Sequence, residues 1–155
     1  MGAQYACSPV SAAMRLVDTT SWVFAGTGAT FGQQLPRVVA NEYDRVFRAS
    51  YMPRNLEVLA YSPLSCQGHP DHADMTYYST SSGAGVFDAG SIHWICTLNG
   101  LCPSSPTAER IADRITENVL RAFAAGPAGR THPSRPNVAK IIGSARNVPV
   151  PTGAD

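Results

Sequence analysis

The sequence predicts an α/β chain with four or five strands, a β-hairpin and one clear helix near the C-terminus. Residues 55–63 (NLEVLAYSP) form an almost fully apolar run closed by proline, as expected of a buried strand. The segments DMTYYST and GVFDAGS flank the turn-forming sequence SSGA and are rich in β-branched and aromatic residues, which predicts a hairpin. Further on, four apolar residues recur at the four-residue spacing of a helix face: Ile111, Ile115, Val119 and Phe123.

The predicted helix has recognisable ends. Ser105 can cap its N-terminus and Pro106 suits the first helical position. Glu117 can pair with Arg121 one turn later on the polar face, and Gly126 followed by proline should end the helix. A parallel sheet needs helices on both of its faces. Because the sequence predicts a single helix, we expect the α/β architecture to be incomplete in this chain.

Two further apolar segments are predicted to be extended. SWVFAGTGATFGQQLPRVV reads as a strand, a loop and a second strand, and IHWICTL reads as a strand that contains a hydrogen-bonded structural His93. Gly26, Gly28 and Gly32 come within one residue of a dinucleotide-binding fingerprint, but Pro36 falls where the required helix would run. These residues therefore predict a glycine-rich turn. Asp88 is expected to face solvent from its strand.

The composition excludes some classes of function. Charged residues are only 15% of the 155 residues and the net charge is +1 without a basic stripe, so a nucleic-acid binder is not indicated. The apolar runs are too short to span a membrane, and no continuous apolar stretch near Met1 suggests an export signal. We therefore expect a cytoplasmic location. Few charges together with 13 glycines and 12 prolines suggest a loop-rich chain or a piece that packs against something else.

The four cysteines carry little functional signal in the sequence. Cys7, Cys66, Cys96 and Cys102 form no C-x-x-C pair, and five residues separate the last two, so no structural zinc site is predicted. In the absence of an export signal they are expected to be reduced thiols, with Cys96 a small buried residue in a strand.

The segment HPDHAD poses a choice between a metal site and a polar loop. His69, His72 and the aspartates beside them are legitimate ligands for zinc, iron or manganese. The two histidines are three residues apart with Pro70 between them, and the pattern matches no metalloprotease motif. The favoured interpretation is a polar loop in which Asp71 or Asp74 hydrogen-bonds its own turn before the next strand begins.

A longer series of motifs resembles a known family. The stretch ADMTYYSTSSGAGVFDAGSIHW, followed by a capped helix with RITENVLRAFAAG and then RTHPS, resembles the C-terminal region of the large (β) subunit of N,N-dimethylformamidase and its relatives. The upstream SWVFAGTG and NEYDRV look like earlier elements of that region. The resemblance covers most of residues 20–134, and under it HPDH belongs to a variable loop.

The resemblance implies a fold, a chemistry and one site residue. The implied fold is part of a class-I glutamine-amidotransferase-like (flavodoxin-like) three-layer α/β domain. Amidohydrolase members hold one iron with two tyrosines and a glutamate, and such an ion can polarise an amide carbonyl and activate water. Glu42 is the candidate for that glutamate. Tyr5 is the one tyrosine that precedes it, whereas the family has two, and a surface carboxylate near Arg45 is the structural alternative.

These inferences divide the chain into three segments and lead to two functional hypotheses. Residues 1–19 are predicted to be a poorly defined N-terminal segment, 20–129 the family's C-terminal domain in part, and 130–155 a proline-rich tail. The first hypothesis is a portion of an amidohydrolase subunit that hydrolyses the C–N bond of a small amide by iron-activated water in the full-length parent. This chain alone would hold no cofactor and would be catalytically incomplete, with the rest of the subunit or another subunit as its partner. The alternative is a non-catalytic packing or assembly module, or a truncated chain.

Overall fold

The computed structural model describes residues 2–144, which form a mixed α/β chain of small sheets and four α-helices with no closed barrel. No helix in this range is long and apolar enough to cross a membrane. The strands within this range are β1 (Gln4–Cys7), β2 (Ser11–Arg15), β3 (Gln34–Ala40), β4 (Tyr43–Arg45), β5 (Glu57–Cys66), β6 (His69–Ser79) and β7 (Gly85–Asp88). The α-helices are α1 (His93–Thr97), α2 (Pro106–Ala124), α3 (Ala128–Thr131) and α4 (Val138–Ser144), with short 3-10 helices at Trp22–Phe24 and Leu98–Gly100.

The strands pair in three sheets. β1 pairs with β4, β2 pairs with β3, and β5, β6 and β7 form a three-stranded sheet in that order. Every strand pairing within residues 2–144 is antiparallel. The α/β class predicted from the sequence is thus confirmed in its coarse form, whereas this part of the chain contains no parallel pair of the kind that a flavodoxin-like sheet uses.

The longest pairing joins β5 to β6 through a two-residue turn. Gln67 and Gly68 both have positive φ, 51° and 80°, as the tightest hairpin turns require, and Cys66 lies opposite His69. The predicted polar loop at HPDHAD is therefore wrong, because these residues form the first half of β6. Gln-Gly is a less typical turn pair than Asn-Gly, so the turn was not recognised in the sequence.

The hairpin predicted around SSGA is confirmed. β6 and β7 pair from Ser79 opposite Gly85 to Thr76 opposite Asp88, and the Thr80 amide donates to the carbonyl of Ala84 across the turn. The buried strand predicted around residues 55–63 is also confirmed as β5, which continues to Cys66.

Helix α2 follows its sequence prediction closely. The Ser105 hydroxyl oxygen accepts a hydrogen bond from the Ala108 amide at 3.1 Å, and Pro106 is the first helical residue. The apolar face is buried at Ile111, Ile115 and Val119. On the polar face, Arg121 lies 2.8 Å from a Glu117 carboxylate oxygen.

Two segments predicted to be strands are helical. IHWICTL forms α1 and the 3-10 helix after it, with Trp94 and Thr97 buried on one face and Ile95 exposed. Spacing of buried residues by three is a helical pattern, but a short apolar run does not distinguish helix from strand in the sequence. The Trp22–Phe24 segment is likewise a single 3-10 turn rather than a strand, and it leads into positive-φ turns at Gly26 and Gly28.

The cysteines form two disulfides, so the prediction of reduced thiols and of Cys96 in a strand is wrong. Cys7 at the end of β1 is bonded to Cys66 at the end of β5, with Cα atoms 6.5 Å apart. Cys96 in α1 is bonded to Cys102 just beyond the 3-10 helix. The first pair is 59 residues apart in sequence, a proximity that only the folded sheets create.

Both ends of the described chain contain structure. β1 and β2 lie within residues 1–19, and the second half of α3 and all of α4 lie within the predicted tail. Asn137 ties that tail to β5, because its side-chain oxygen accepts from the Val58 amide at 2.6 Å and its amide group donates to the Val58 carbonyl. The rest of the predicted proline-rich tail, residues 145–155, lies outside the described range.

Two apolar clusters fill the interior. The larger packs α2 against β2, β3, β5 and β6, and includes Met14, Leu59 and Ile115. The smaller lies on the other side of β5 around Leu56 and Val58, where Ile141 of α4 covers it.

We expect Ile115→Ala to lower the free energy of unfolding by about 2–5 kcal/mol, because it leaves a cavity in the larger cluster. Leu120→Ala on the same helix is the matched control, because Leu120 is 63% exposed whereas Ile115 is 0% exposed. The control should change the unfolding free energy by no more than about 0.5 kcal/mol. Urea unfolding of both variants measures the difference, and equal losses would contradict the packing described for α2.

Candidate functional site

Strand β4 brings a tyrosine and an arginine against an aspartate of β6. The Tyr43 hydroxyl donates to Oδ2 of Asp71 at 2.7 Å, and the Arg45 guanidinium bonds Oδ1. The His72 amide donates the third hydrogen bond to this carboxylate, to Oδ1 at 2.9 Å. Burial on its own would raise the pKa of Asp71, but these hydrogen bonds and the arginine charge outweigh it and hold that pKa below its usual value. Asp71 is thus a stable anion that binds β4 to the sheet.

A second aspartate, Asp74, is fully buried on β6. Its Oδ2 accepts the Val46 amide at 2.7 Å and lies 2.9 Å from Nδ1 of His72. Its Oδ1 has no hydrogen-bond partner among residues 2–144. Burial raises the pKa of Asp74 even though His72 and the Val46 amide oppose the shift. The ring of Tyr61, the residue that pairs with Asp74 across the hairpin, stacks on His72 with centroids 4.7 Å apart.

A third group of carboxylates lies where β4 meets the end of β7. Burial, followed by the charges of Asp88 and Glu42, raises the pKa of Asp44 to about 6. Burial also raises the pKa of Asp88, against the hydrogen bond of 2.9 Å that its Oδ1 accepts from the Gly90 amide. Asp88 is therefore largely withdrawn from water, not solvent-facing as the sequence suggested.

The arrangement we call the carboxylate cluster comprises Asp44, Asp71, Asp74 and Asp88, in which, in addition to burial, the charge of Asp71 raises the pKa of Asp74, that of Asp74 raises the pKa of Asp88, and that of Asp88 raises the pKa of Asp44. A carboxyl group with a pKa of about 6 can take up and release a proton near neutral pH, which is the property that general acid–base catalysis uses. Shifted carboxylates also occur in purely structural networks. In this cluster Asp71 has the structural role, because its bonds are all made within the fold.

The predicted metal ligand Glu42 lies beside this cluster. It is half-buried, its carbonyl accepts the Ser91 hydroxyl at 2.9 Å, and its charge acts on Asp44. Tyr5, which precedes it in sequence, lies opposite Asp44 in the β1–β4 register and is 59% exposed. Tyr43 follows it directly, with its hydroxyl engaged by Asp71.

The family's iron centre does not fit the residues present. Burial is the main cause of a raised pKa at Tyr43, Tyr61 and Tyr77, which disfavours the phenolate form that binds ferric iron. In addition, only Tyr5 precedes Glu42 in the sequence, whereas the implied set has two tyrosines before its glutamate.

The histidines are separated by the fold. His69 is exposed at the start of β6, whereas His72 is enclosed between Asp74 and Tyr61. His132 stacks on Trp22 with centroids 4.4 Å apart. His93, predicted to be hydrogen-bonded in a strand, begins α1 instead, and its Nδ1 is buried without a hydrogen-bond partner in the described range.

Sequence reasoning missed the Asp44–Asp88 pair. The two residues are 44 positions apart and meet only because β4 folds onto the sheet edge, where the Asp44 amide donates to the Gly90 carbonyl at 3.0 Å. The aspartate in the apolar segment VFDAG was the one sequence signal of this pair, because a charged residue in a short apolar strand is costly to bury without an interaction partner.

Comparison with known protein families shows which family the chain resembles. A family model described as N,N-dimethylformamidase beta subunit-like, C-terminal, matches residues 1–109. The match includes β1 to β7 and every residue of the carboxylate cluster. It starts before the domain boundary predicted at residue 20 and ends within α2. No curated protein matches the chain significantly.

We expect the raised pKa of Asp44 to make stability depend on pH. Its pKa is about 6 in the folded chain against an ordinary value of 3.8, so folding favours the protonated form and stability falls as pH rises between these values. Relative to Asp44→Asn, the wild-type chain should lose on the order of 1 kcal/mol of unfolding free energy from about pH 4 to pH 7, after allowance for screening by water. Urea unfolding across this pH range measures the loss.

Asp88→Asn is the matched control for the cause of this shift. Removing the repelling charge should move the pKa of Asp44 down towards 3.8, as followed by NMR titration of its carboxyl carbon. A wild-type Asp44 that already titrates near 3.8 would contradict the burial and charge proximity described here.

Proposed function

The chain belongs to the N,N-dimethylformamidase beta subunit-like, C-terminal family, and on that basis we propose that it is a portion of an amide-hydrolysing subunit. The observation that carries this proposal is the match over residues 1–109, more than two thirds of the 155 residues. The reaction is the addition of water to a small amide such as N,N-dimethylformamide, which breaks the C–N bond and gives formate and dimethylamine.

In this proposal the chain contributes structure and carboxylates rather than a complete catalytic centre. Asp44, whose pKa is raised to about 6, is the group of the cluster best suited to exchange protons with an adjoining site near neutral pH, and Asp88 contributes to that raised pKa. The iron that the resemblance implies would be held by the rest of the subunit, since the tyrosines described here are unsuited to it. The partner is therefore the remainder of that subunit or a second subunit, and a small amide is the substrate.

The second candidate function is assembly without catalysis. Large apolar side chains are exposed on and around α1 and α2, including Ile95 at 68%, Leu101 at 76% and Leu120. Leu98 and Leu120 line one shallow groove between these elements. Exposed apolar side chains of this kind favour contact with another protein surface.

The cytoplasmic location expected from the sequence remains a prediction. The two disulfides weigh against it, because cytosolic proteins usually keep their thiols reduced.

An antibody raised against the peptide RITENVLRAFAAG, which forms most of α2, allows the proposal to be tested in cells that make the protein. We expect the captured material to release dimethylamine from N,N-dimethylformamide, and the depleted extract to lose that activity in proportion. Antibody blocked beforehand with the peptide is the control. Gel electrophoresis of the captured protein shows whether the chain is part of a larger polypeptide.

Captured material that is inactive, together with a depleted extract that keeps its full activity, would overturn the hydrolase proposal. If that inactive chain is part of a stable larger assembly, the second candidate function is supported instead.

A further inference from the structure

The turn of helix α1 brings a histidine and two cysteines together. His93 and Cys96 are three residues apart, which places them on the same face of one helical turn. Cys102 returns to this face after the 3-10 helix, with its Cα 5.0 Å from that of Cys96. One ring nitrogen of His93 and the two sulfurs all lie within 4.8 Å of one another. Among residues 2–144 no other group of three histidine, cysteine, aspartate or glutamate residues meets this condition.

An unpartnered polar atom at the same place points to a ligand. Nδ1 of His93 is buried and has no hydrogen-bond partner within the described range. Buried polar atoms are nearly always satisfied, and one that is not needs a reason. Since an imidazole nitrogen is a common metal ligand, a metal bound among these three side chains would supply the missing interaction for the ring.

We propose that reduction of the Cys96–Cys102 disulfide turns these three residues into a zinc-binding site. A small dithiol supplies two electrons and two protons, so the S–S bond breaks to give two thiols and the dithiol becomes a cyclic disulfide. Zinc then binds the two sulfurs and one imidazole nitrogen, and the two thiol protons leave to solvent. The fourth coordination position is taken by water, as in open Cys2His sites.

The surroundings suit a thiophilic divalent cation. Two thiolates and an imidazole favour zinc over magnesium or calcium, which prefer oxygen ligands. All three residues are half-buried, so a reductant and a metal ion can reach them. A Cβ atom placed on Gly100 would lie 3.2 Å from Oε2 of Glu109, so that carboxylate stands beside the loop and adds negative charge near the site.

The other disulfide provides an internal comparison. Cys7 and Cys66 belong to no such ligand group in the described range, so reduction there would free two thiols without an imidazole at hand. The inference is independent of amide hydrolysis, because it rests on residues outside the carboxylate cluster.

Cobalt binding to the purified chain tests the proposal. The protein is reduced with dithiothreitol, the dithiothreitol is removed under anaerobic conditions, and the protein is titrated with Co²⁺. The thiolate-to-cobalt charge-transfer bands and the d–d bands of tetrahedral Co²⁺ report sulfur coordination. We expect one equivalent to bind to the reduced chain and none to the oxidised chain, with zinc displacing the cobalt. Circular dichroism before and after reduction records whether the fold is kept.

His93→Gln is the decisive variant, because it leaves every cysteine in place and cannot disturb formation of either disulfide. We expect its reduced form to bind cobalt at least about tenfold more weakly than the wild type. The Cys7→Ser, Cys66→Ser double variant should bind as the wild type does, while Cys102→Ser should lose the charge-transfer band. Absence of cobalt binding by the reduced wild type, or equal affinity in His93→Gln, would overturn the proposal.

Discussion

The pairing of β5 with β6 is the constraint on which the rest of the structure depends. Its register runs from Glu57 opposite Tyr77 to Cys66 opposite His69, and the Gln67–Gly68 turn fixes it at one end. A slip of one residue would turn every side chain of β6 to the other face of the sheet. Asp74 would then leave its buried place beside the Val46 amide, and the interior would lose Met75 and Tyr77.

Electrostatics divides the aspartates of this region into two kinds. Asp71 receives bonds from Tyr43, Arg45 and a backbone amide, so its charged form is stabilised despite burial. Asp74 and Asp88 receive fewer compensating bonds and are more fully withdrawn from water, so burial dominates and their protonated forms are favoured. The same sheet therefore holds Asp71 as an anion that binds β4, beside Asp74 and Asp88, whose protonated forms burial favours.

The sequence correctly predicted those structural features that depend on interactions between residues close together in the chain. The Ser105 cap, the first-turn proline and the spacing from Ile111 to Val119 each concern a single helix, and all were predicted correctly. The hairpin around SSGA was found for the same reason.

The features that the sequence did not predict depend on contacts between distant segments or on burial in the folded chain. The composition of IHWICTL fits a strand or a helix. The segment is helical because Trp94 and Thr97, three residues apart, are both buried on one face. The Cys7–Cys66 bond and the approach of Asp44 to Asp88 depend on distant segments meeting, which no local pattern encodes. Glu42 was singled out by resemblance alone, and in the structure its charge acts on Asp44.

The contact between Asn137 and Val58 has a consequence for how the molecule meets other molecules. An outer strand of a sheet exposes unpaired backbone groups that can recruit a strand from another chain. At Val58 both backbone groups are already occupied by one side-chain amide, and at Leu59 the carbonyl is taken by Val17. Asn137 and Val17 thus cover this part of the open side of β5, which leaves fewer backbone groups there for a strand of another chain to pair with.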